Sequence, residues 1–463
     1  MNKRRQRIKY IGLDFLTAYT TWLLFNLLRF SEVARYEFGS LSDFLLNPHV
    51  MTVQISVSFF WLVLYFFSGY YNKPFGKSWI GELFTTFITV VIGSVFILFL
   101  VILNKLPPSF QIYYRFFFSL FGIQFILTYS VRALITHHAF RKSKSGKWIE
   151  SVLIVGTGEE AVKIRQYLRE SGYRIVGFAG ERATLPSPAI PSHEMLGTTG
   201  DIPDILQHHK VDEIVVAVKG VEVIPLLYQF YTYGIPVKVL ADKHNFLSKA
   251  KVKAIDSPPL IDITENNFSE AEKNIKWMFD KLIALVVLVV FAPLYVYLSV
   301  CVKRSSPGPV FFKQERIGYR GKPFLIYKFR TMYSDASRQG PLLTAIGDTR
   351  VTPFGRFMRK YRIDEIPQFW NVLRGDMSLV GPRPEQRFYI EQIVRKAPYY
   401  YLLHNVRPGI TSWGMVKYGY AETVDKMIER LDYDILYYEN MSIALDIKIL
   451  LYTIQIVFLG KGV

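Results

Sequence analysis

Residues 282–300 have the sequence LIALVVLVVFAPLYVYLSV, which sets how the C-terminal part of the chain meets a membrane. These 19 apolar residues are enough to cross a bilayer as a helix, for which about 20 are needed. Pro293 lies within the segment, and a proline inside a helix removes a hydrogen-bond donor and clashes with the carbonyl four residues earlier. The sequence therefore predicts a helix that bends or breaks at Ala292-Pro293.

Basic residues flank this segment on both sides. They are Lys273, Lys276 and Lys281 before it, and Lys303, Arg304, Lys313, Arg316, Arg320, Lys322, Lys328 and Arg330 after it. Because Lys and Arg accumulate on the cytoplasmic side of membrane segments, both ends are expected on one side. This favours a re-entrant helix over about residues 277–302. The alternative is a fifth span, kinked at proline, which would export everything that follows.

Four longer apolar stretches lie towards the N-terminus, at residues 11–30, 53–70, 83–103 and 116–135. Each is near the length that spans a bilayer, so the sequence predicts four transmembrane helices. Lys and Arg cluster before the first stretch and after the fourth, whereas the loop after the first stretch has Arg35 against three acidic residues. Both ends of the bundle are therefore expected in the cytoplasm.

The composition agrees with a membrane protein that binds anions. Half of the 463 residues are hydrophobic, and the net charge is +18. The single cysteine, Cys301, excludes an intramolecular disulfide framework, and the apolar content excludes disorder. Residues 303–463 contain 25 basic and 15 acidic residues, so they contribute +10 of the net charge. Because this charge flanks membrane segments, nucleic acid is not needed to explain it.

Short apolar strands alternate with polar helical stretches between the bundle and the bent segment. Strands are predicted at residues 151–155, 174–178, 213–218 and 237–240, with helices at 160–170, 202–209 and 224–233. This alternation predicts a Rossmann-like α/β domain. Gly156 and Gly158 open a G-x-G-x-x-A turn, which predicts a phosphate-bearing cofactor at a helix N-terminus. The alternative is a domain that binds nothing, because Glu159 and Glu160 would repel a pyrophosphate.

The densest group of reactive side chains lies at residues 359–368, RKYRIDEIPQ. Asp364 as an N-cap and Pro367 in the first turn predict a helix that begins here and continues to Leu373. Adjacent acids at a helix start often serve only for capping. Here, however, they lie among basic residues, which are Lys328, Arg330, Arg350, Arg356, Arg359, Arg383 and Arg407. The array suits a pyrophosphate substrate, with one carboxylate as nucleophile and the other as a Mg²⁺ ligand.

Several longer motifs accompany this group: KWMFD (276–280), SPGPVFFKQ (306–314), GK (321–322), YKFRTM (327–332), DEIPQ (364–368), NVLRGDMSLVGPRP (371–384) and RPGIT (407–411). Together they resemble the bacterial polyprenyl-phosphate sugar-1-phosphate transferases, the monotopic phosphoglycosyl transferases, over about 190 residues. The four-helix bundle and the G-x-G domain resemble the large members of that family. These members carry out the first membrane step of exopolysaccharide, capsule or O-antigen synthesis.

The resemblance implies a reaction and roles for particular residues. Asp364 matches the nucleophile that attacks a UDP-sugar, releases UMP and passes the phosphosugar to undecaprenyl phosphate. Glu365 matches the Mg²⁺ ligand, Arg359 and Arg383 match phosphate-contacting and nucleotide-contacting arginines, and Asp434 matches a further acid of the site. Where many relatives have GWAQVNG, this chain has SWGMVKY at residues 412–418, which puts the transfer of a sugar identity in doubt.

The sequence therefore predicts three parts: a four-helix transmembrane domain (1–147), a Rossmann-like domain (148–265) and a mostly α-helical catalytic domain with the re-entrant helix (266–463). The resemblance implies a multi-pass protein of the bacterial inner membrane with a cytoplasmic catalytic domain, which acts as a homodimer and binds no nucleic acid. The main alternative is a non-catalytic membrane scaffold or regulator of polysaccharide assembly. A membrane-bound NAD-dependent dehydratase is disfavoured because no Tyr-x-x-x-Lys pair is present.

Overall fold

In the computed structural model, the chain folds into two compact units. One unit is Met1–Ile149 with Ser171–Tyr173 and Ser269–Ile275, and the other is Glu150–Glu170, Arg174–Phe268 and Lys276–Val463. The structure describes residues 3–72, 74, 79–104, 110–144, 150–171, 173–180, 188–218, 230, 233–240, 260–262, 268–333, 348–419 and 421–459. The predicted helix at 224–233 lies almost wholly outside the described residues.

The first unit is built from long apolar helices. Its helices are α1 (Lys3–Arg29), the short α2 (Arg35–Phe38) and α3 (Leu41–Leu45), α4 (Pro48–Phe67), α5 (Trp79–Asn104) and α6 (Phe110–Lys144). A π-helical turn, Phe30–Ala34, follows α1. Four segments are long and apolar enough to cross a membrane: Arg4–Glu32, Pro48–Phe67, Trp79–Val101 and Gln111–Ala139. The prediction of four apolar helices of spanning length is confirmed.

A buried ion pair joins the first of these helices to the last. Asp14 on α1 accepts two hydrogen bonds from the Arg132 guanidinium on α6, at 2.9 Å from Nε and 2.7 Å from Nη2. The guanidinium carbon lies 4.0 Å from the ring centre of Tyr65 and 3.6 Å from that of Tyr70. Tyr71 donates a further hydrogen bond of 2.9 Å to Asp14. Both charged groups are almost completely buried, so the pair depends on these neighbours to compensate its desolvation.

The turn after α4 binds the start of a helix from much later in the chain. Gly69 has φ +77°, and a side chain there would lie 2.5 Å from Cβ of Glu270. The Asn72 side-chain amide donates to the Glu270 carboxylate at 2.9 Å and to Asn274 at 3.1 Å. Asn274 in turn donates to the carbonyl of Phe66 at 2.5 Å. Residues 269–275 therefore pack as part of the bundle.

The α/β region of the second unit forms a six-stranded sheet. Its strands are β1 (Ser151–Val155), β2 (Arg174–Gly180), β3 (Met195–Thr198), β4 (Glu213–Val216), β5 (Val237–Leu240) and β6 (Leu260–Asp262). The order β3-β2-β1-β4-β5-β6 is that of the Rossmann fold, with only β6 antiparallel to its neighbour. Helix α7 (Glu159–Glu170) follows β1, and α8 (Ile202–His208) precedes β4. The α/β prediction is confirmed, although the short β3 and β6 were not predicted.

Two helices with a sharp bend between them open the C-terminal region. Helix α9 (Glu270–Val290) and helix α10 (Ala292–Ser305) meet at Phe291 with an angle of 64°, so the predicted break is present. One side of α9 carries polar groups that bind neighbouring elements: Lys276 pairs with Asp446, and Asp280 accepts a 2.6 Å hydrogen bond from Ser378. The apolar residues between 282 and 290 are mostly exposed.

The remaining elements form a mainly helical domain with one large apolar core and a smaller apolar cluster around Phe329 and Met358. They are the hairpin β7 (Phe311–Ile317) and β8 (Pro323–Phe329), helices α11 (Pro353–Lys360) and α12 (Gln368–Arg374), strand β9 (Ser378–Val380), helix α13 (Arg387–Lys396), strand β10 (Gly409–Thr411), and helices α14 (Trp413–Lys417), α15 (Val424–Glu439) and α16 (Ile443–Phe458). Strands β9 and β10 pair in parallel.

Helix α16 has one buried side and one exposed apolar side. Asp446 and Ile449 are buried in the domain core, whereas Ile447, Leu451 and Ile454 are more than half exposed. The structure shows one core-facing side and one exposed apolar side.

We expect the Asp14–Arg132 pair to stabilise the bundle strongly. Replacing Arg132→Met leaves the Asp14 carboxylate buried without its partner, which typically costs about 3–5 kcal/mol. Thermal unfolding of the purified protein in detergent measures the change. Arg115→Met is the matched control, because Arg115 pairs with Glu32 at 2.6 Å on the surface, where the loss is about 1 kcal/mol or less. Equal losses in both variants would contradict the prediction.

Candidate active site

The turn that carries Asp364 and Glu365 is formed by an unusual backbone conformation. Helix α11 ends at Lys360, and Arg362 then adopts a left-handed conformation with φ +56°. A single 3₁₀ turn, Ile363–Glu365, follows before α12 begins at Gln368. The prediction that Asp364 caps a helix is therefore wrong. The left-handed residue reverses the chain, so both carboxylates turn into the protein instead of towards the amides of α12.

Asn371 holds α12 against β8. Its side chain donates to the Leu325 carbonyl at 2.7 Å and accepts from the Tyr327 amide at 3.2 Å. These bonds satisfy backbone groups of β8 that have no strand partner on that side. They also bring the next residue of the strand, Lys328, towards the turn with the two acids.

Glu365 is held as a carboxylate by basic neighbours. Lys328 Nζ lies 2.6 Å from its Oε1, and Arg362 Nη1 lies 3.7 Å from the same atom. Burial alone would raise the pKa of Glu365, but Lys328, Arg362 and Arg383 together lower the pKa well below its ordinary value. Glu365 is therefore ionised throughout the physiological range.

The pKa of Asp364 is shifted in the opposite direction to that of Glu365. It is 7% exposed, and its Oδ1 has no hydrogen-bond partner among the described residues. Burial, and next the charge of Glu365, raise the pKa of Asp364 to about 6, against the opposing effect of Lys328, Arg362 and Arg359. Two adjacent carboxyl groups with pKa values pushed apart are typical of sites with divided chemical roles. Both carboxyl groups are buried, but Glu365 is ion-paired whereas Oδ1 of Asp364 has no hydrogen-bond partner among the described residues.

A second charged cluster surrounds Glu385. Its carboxylate lies 2.6 Å from Arg430, 3.3 Å from Arg316 and 3.8 Å from Arg383, and it is 4% exposed. Three guanidinium groups around one carboxylate leave excess positive charge, which suits a phosphate ligand. The sequence reasoning missed the roles of Arg316, Glu385 and Arg430. The only available signal was that Glu385 directly follows the Pro-Arg-Pro motif.

Strands β9 and β10 bring Arg383 close to Asp434. Because parallel strands end at the same edge, residues 381–384 after β9 lie beside residues 412–414 after β10. Asp434 on α15 accepts hydrogen bonds from the Gly414 amide at 2.9 Å, from the Arg383 amide and from the Ser412 hydroxyl. Burial raises the pKa of Asp434. A side chain at Gly414 would approach Cγ of Arg430 to 2.7 Å, so glycine permits this close packing.

Five of the seven predicted basic residues divide into two groups. Lys328, Arg359 and Arg383 act electrostatically on the two acids, and Arg359 Nε also donates to Thr331 at 2.9 Å. Arg330 instead donates to the Ser306 carbonyl at 2.6 Å. Arg407 donates to the Gly375 carbonyl at 3.1 Å. These last two hydrogen bonds go to backbone carbonyls and not to the acids.

The donor set at the acids fits a magnesium ion. Within the part of the chain that the structure describes, no group of three or more His, Cys, Asp or Glu side chains could form a dedicated metal site. Mg²⁺ is commonly bound by one or two carboxylates together with substrate phosphates and water. Asp364 and Glu365 supply two adjacent carboxylates, and one of their oxygens has no partner within that region.

The glycine turn of the α/β region lies between β1 and α7, as the sequence predicts. Gly156 has φ +116°, donates to the Ala179 carbonyl at 2.8 Å, and a side chain there would meet Val218 at 3.1 Å. Gly158 lies one residue before α7 begins, and a Cβ added there would meet no atom of the described residues within 4 Å. The turn lies at the end of the central strand β1. Binding of a cofactor at Gly156 and Gly158 stays a prediction.

Comparisons with known proteins match two regions of the chain. Residues 271–460 match the bacterial sugar transferase family, and residues 66–220 match a family described as a CoA-binding domain. The chain is 45% identical over 188 residues to the UDP-N-acetylgalactosamine-undecaprenyl-phosphate N-acetylgalactosaminephosphotransferase of Aeromonas hydrophila, covering 41% of this chain and 44% of the relative. The chain therefore spans less than half of that relative.

Two further relatives are matched over more of their own length. The UDP-glucose:undecaprenyl-phosphate glucose-1-phosphate transferase of Caulobacter vibrioides is 40% identical, with 39% of this chain and 68% of the relative covered. The undecaprenyl-phosphate galactose phosphotransferase of Salmonella typhimurium is 29% identical, with 94% and 91% covered. The chain belongs to the bacterial sugar transferase family, that of the polyprenyl-phosphate sugar-1-phosphate transferases.

Proposed function

We propose that this protein transfers a sugar 1-phosphate from a UDP-sugar to undecaprenyl phosphate, with Asp364 as the nucleophile. The observation that supports this most directly is the pairing of a buried, poorly solvated carboxyl group with the ion-paired Glu365. Named relatives act on undecaprenyl phosphate with glucose, galactose or N-acetylgalactosamine phosphates. The region from residue 266 onward is proposed to carry the whole reaction.

In the first step, a carboxylate oxygen of Asp364 attacks the β-phosphorus of the UDP-sugar. The bond between this phosphorus and the bridging oxygen breaks, and UMP leaves with the electron pair. The phosphosugar is now bound to Asp364 as an acyl phosphate, a mixed anhydride of the carboxyl group and the phosphate. A nucleophile with little solvation suits this step because few water molecules have to be removed before attack.

In the second step, a phosphate oxygen of undecaprenyl phosphate attacks the same phosphorus. The Asp364 carboxylate leaves, and the product is an undecaprenyl diphosphate sugar. The two steps are two displacements at one atom, so the kinetics are expected to be ping-pong.

The surrounding cations stabilise the charge that develops on the phosphates. Lys328 and Arg359 lie on the side of the two acids, whereas Arg383 belongs to the cluster around Glu385. When bound, Mg²⁺ would be held by Glu365 and would neutralise charge on the diphosphate. Since Glu365 stays ionised, it retains the charge that this role needs.

We further propose that α9 and α10 form a re-entrant membrane segment that places the site at the cytoplasmic face of the bacterial inner membrane. The 64° bend and the basic residues on both flanks support this arrangement. It would bring the lipid-linked acceptor and the soluble donor to the same side.

Replacement of Asp364→Asn is expected to abolish UMP release, because a neutral amide cannot form the acyl phosphate with the phosphosugar. UMP is measured after mixing purified protein in nanodiscs with UDP-glucose, UDP-galactose or UDP-N-acetylgalactosamine, first without and then with undecaprenyl phosphate. Asp425→Asn is the control, because Asp425 pairs with Lys396 on the surface. Full UMP release by the Asp364 variant would refute the nucleophile assignment.

The rate of UMP release is expected to fall at acidic pH. Because the pKa of Asp364 is raised to about 6, its nucleophilic carboxylate is present above that pH and is lost as pH falls through it. The single-turnover rate should decrease by about tenfold per pH unit below 6. The Asp425→Asn variant should give the same curve. A rate that stays constant well below pH 6 would contradict the assignment.

Cysteine labelling tests the re-entrant arrangement. In a Cys301→Ser background, Lys273→Cys and Lys313→Cys should both react with a membrane-impermeant maleimide only in inverted vesicles. Leu46→Cys, which is 70% exposed between α3 and α4, should react only in spheroplasts. Opposite exposure of residues 273 and 313 would instead establish a fifth span.

A further inference from the structure

We propose that Tyr295 on α10 is a positioning residue for the Asp364–Glu365 pair, an inference that rests on the proposed function. The Tyr295 hydroxyl donates a hydrogen bond of 2.9 Å to the backbone carbonyl of Ile366. Ile366 directly follows Glu365, so this bond ties the helix after the bend to the turn that carries both acids. It joins two segments that are 71 residues apart in sequence.

Ile366 lies directly after the 3₁₀ turn that carries the two acids. Its carbonyl also accepts the Phe369 amide at 3.1 Å, so it lies where the 3₁₀ turn passes into α12. The preceding residues are irregular, since Arg362 is left-handed and only one 3₁₀ turn separates it from Ile366. The backbone at the two acids is held by 3₁₀-type hydrogen bonds, from the Glu365 amide to the Arg362 carbonyl at 3.2 Å and from the Ile366 amide to the Ile363 carbonyl at 3.3 Å, and not by a continuous α-helix. The Tyr295 hydroxyl supplies an anchor from outside the turn.

Helix α10 also contacts β8, the strand that carries Lys328 of the Lys328–Glu365 ion pair. The Tyr295 ring packs against Phe329, with ring centres 5.9 Å apart, and Phe329 is the neighbour of Lys328 in β8. Leu298 and Val302 on α10 continue this contact in a small cluster that also contains Met358 and Ile363. Helix α10 thus contacts both β8, which carries Lys328, and the turn that carries Glu365. These two segments must be aligned for Lys328 to reach Glu365.

The expected effect is on the rate of chemistry and not on binding. Asp364 Oδ1 has no hydrogen bond within the described residues, so the orientation of this carboxylate depends on its backbone. Displacements of about 1 Å at a reacting group can cost about a hundredfold in rate. The Tyr295 hydroxyl is bonded to the Ile366 carbonyl. It acts through the backbone of residues 364–366.

The chain supplies a matched pair of tyrosines for the test. Tyr295→Phe keeps the ring that packs on Phe329 and removes only the hydroxyl. Tyr297→Phe makes the same change two residues away on α10, where the side chain is 64% exposed. We measure kcat and KM for the UDP-sugar by UMP release in nanodiscs, and hydrogen–deuterium exchange of the amides at residues 363–369.

For Tyr295→Phe we expect kcat to fall about tenfold or more, with KM changed less than twofold and faster exchange at residues 363–369. Tyr297→Phe should match the unmodified protein in all three. Unchanged kcat and unchanged exchange in Tyr295→Phe would overturn the proposal, as would a loss that appears only in KM. If the unmodified protein releases no UMP, the proposed function fails, while exchange at residues 363–369 still decides whether Tyr295 anchors the turn.

Discussion

Burying two adjacent carboxyl groups is the constraint on which the C-terminal domain depends. Two unpaired negative charges inside a protein would repel each other and lose their hydration, so the surrounding chain has to compensate at least one of them. Lys328 reaches Glu365 from β8, Arg362 reaches it from the same turn, and Asn371 holds the strand in place. The hairpin, α11 and α12 are arranged so that these groups converge on Glu365, while Oδ1 of Asp364 has no hydrogen-bond partner among the described residues.

The bent helix pair makes the same domain dependent on elements outside the catalytic turn. Helix α9 begins among residues of the bundle, where Asn72 binds Glu270 and Asn274 of its first turns. It continues with Lys276 and Asp280, which bind Asp446 and Ser378 of the C-terminal domain. Helix α10 then packs beneath β8 and the turn with the acids. Polar contacts therefore hold one side of this pair along its length, and the other side remains apolar and exposed.

The elements defined by apolar periodicity and length could be predicted from the sequence. The four long helices, the central strands of the sheet and the break next to Pro293 follow from local pattern alone. The acids were also identified, because they lie in a dense group of charges. Their conformation could not be predicted, since the left-handed Arg362 is not a residue type that favours that region.

Interactions between distant residues account for the other differences. Arg316, Glu385 and Arg430 form one buried cluster, yet Glu385 lies 69 residues after Arg316 and 45 residues before Arg430, and no local pattern predicts that they pair. Tyr295 looks like any other aromatic residue of an apolar helix. Only the folded chain shows that its hydroxyl meets the carbonyl of Ile366. Pattern reasoning detects faces of helices and strands, whereas these contacts depend on how the elements are packed.

The buried pair of Asp14 and Arg132 also has a consequence for biosynthesis. The two residues are 118 positions apart, so α1 emerges from the ribosome long before α6 can supply its counter-charge. Placing a lone Asp or Arg in the middle of a membrane helix costs about 2.5–3.5 kcal/mol during insertion. The first helix therefore gains its final stability only when the fourth long helix has been made. Assembly of the bundle is completed late, after most of its chain has been synthesised.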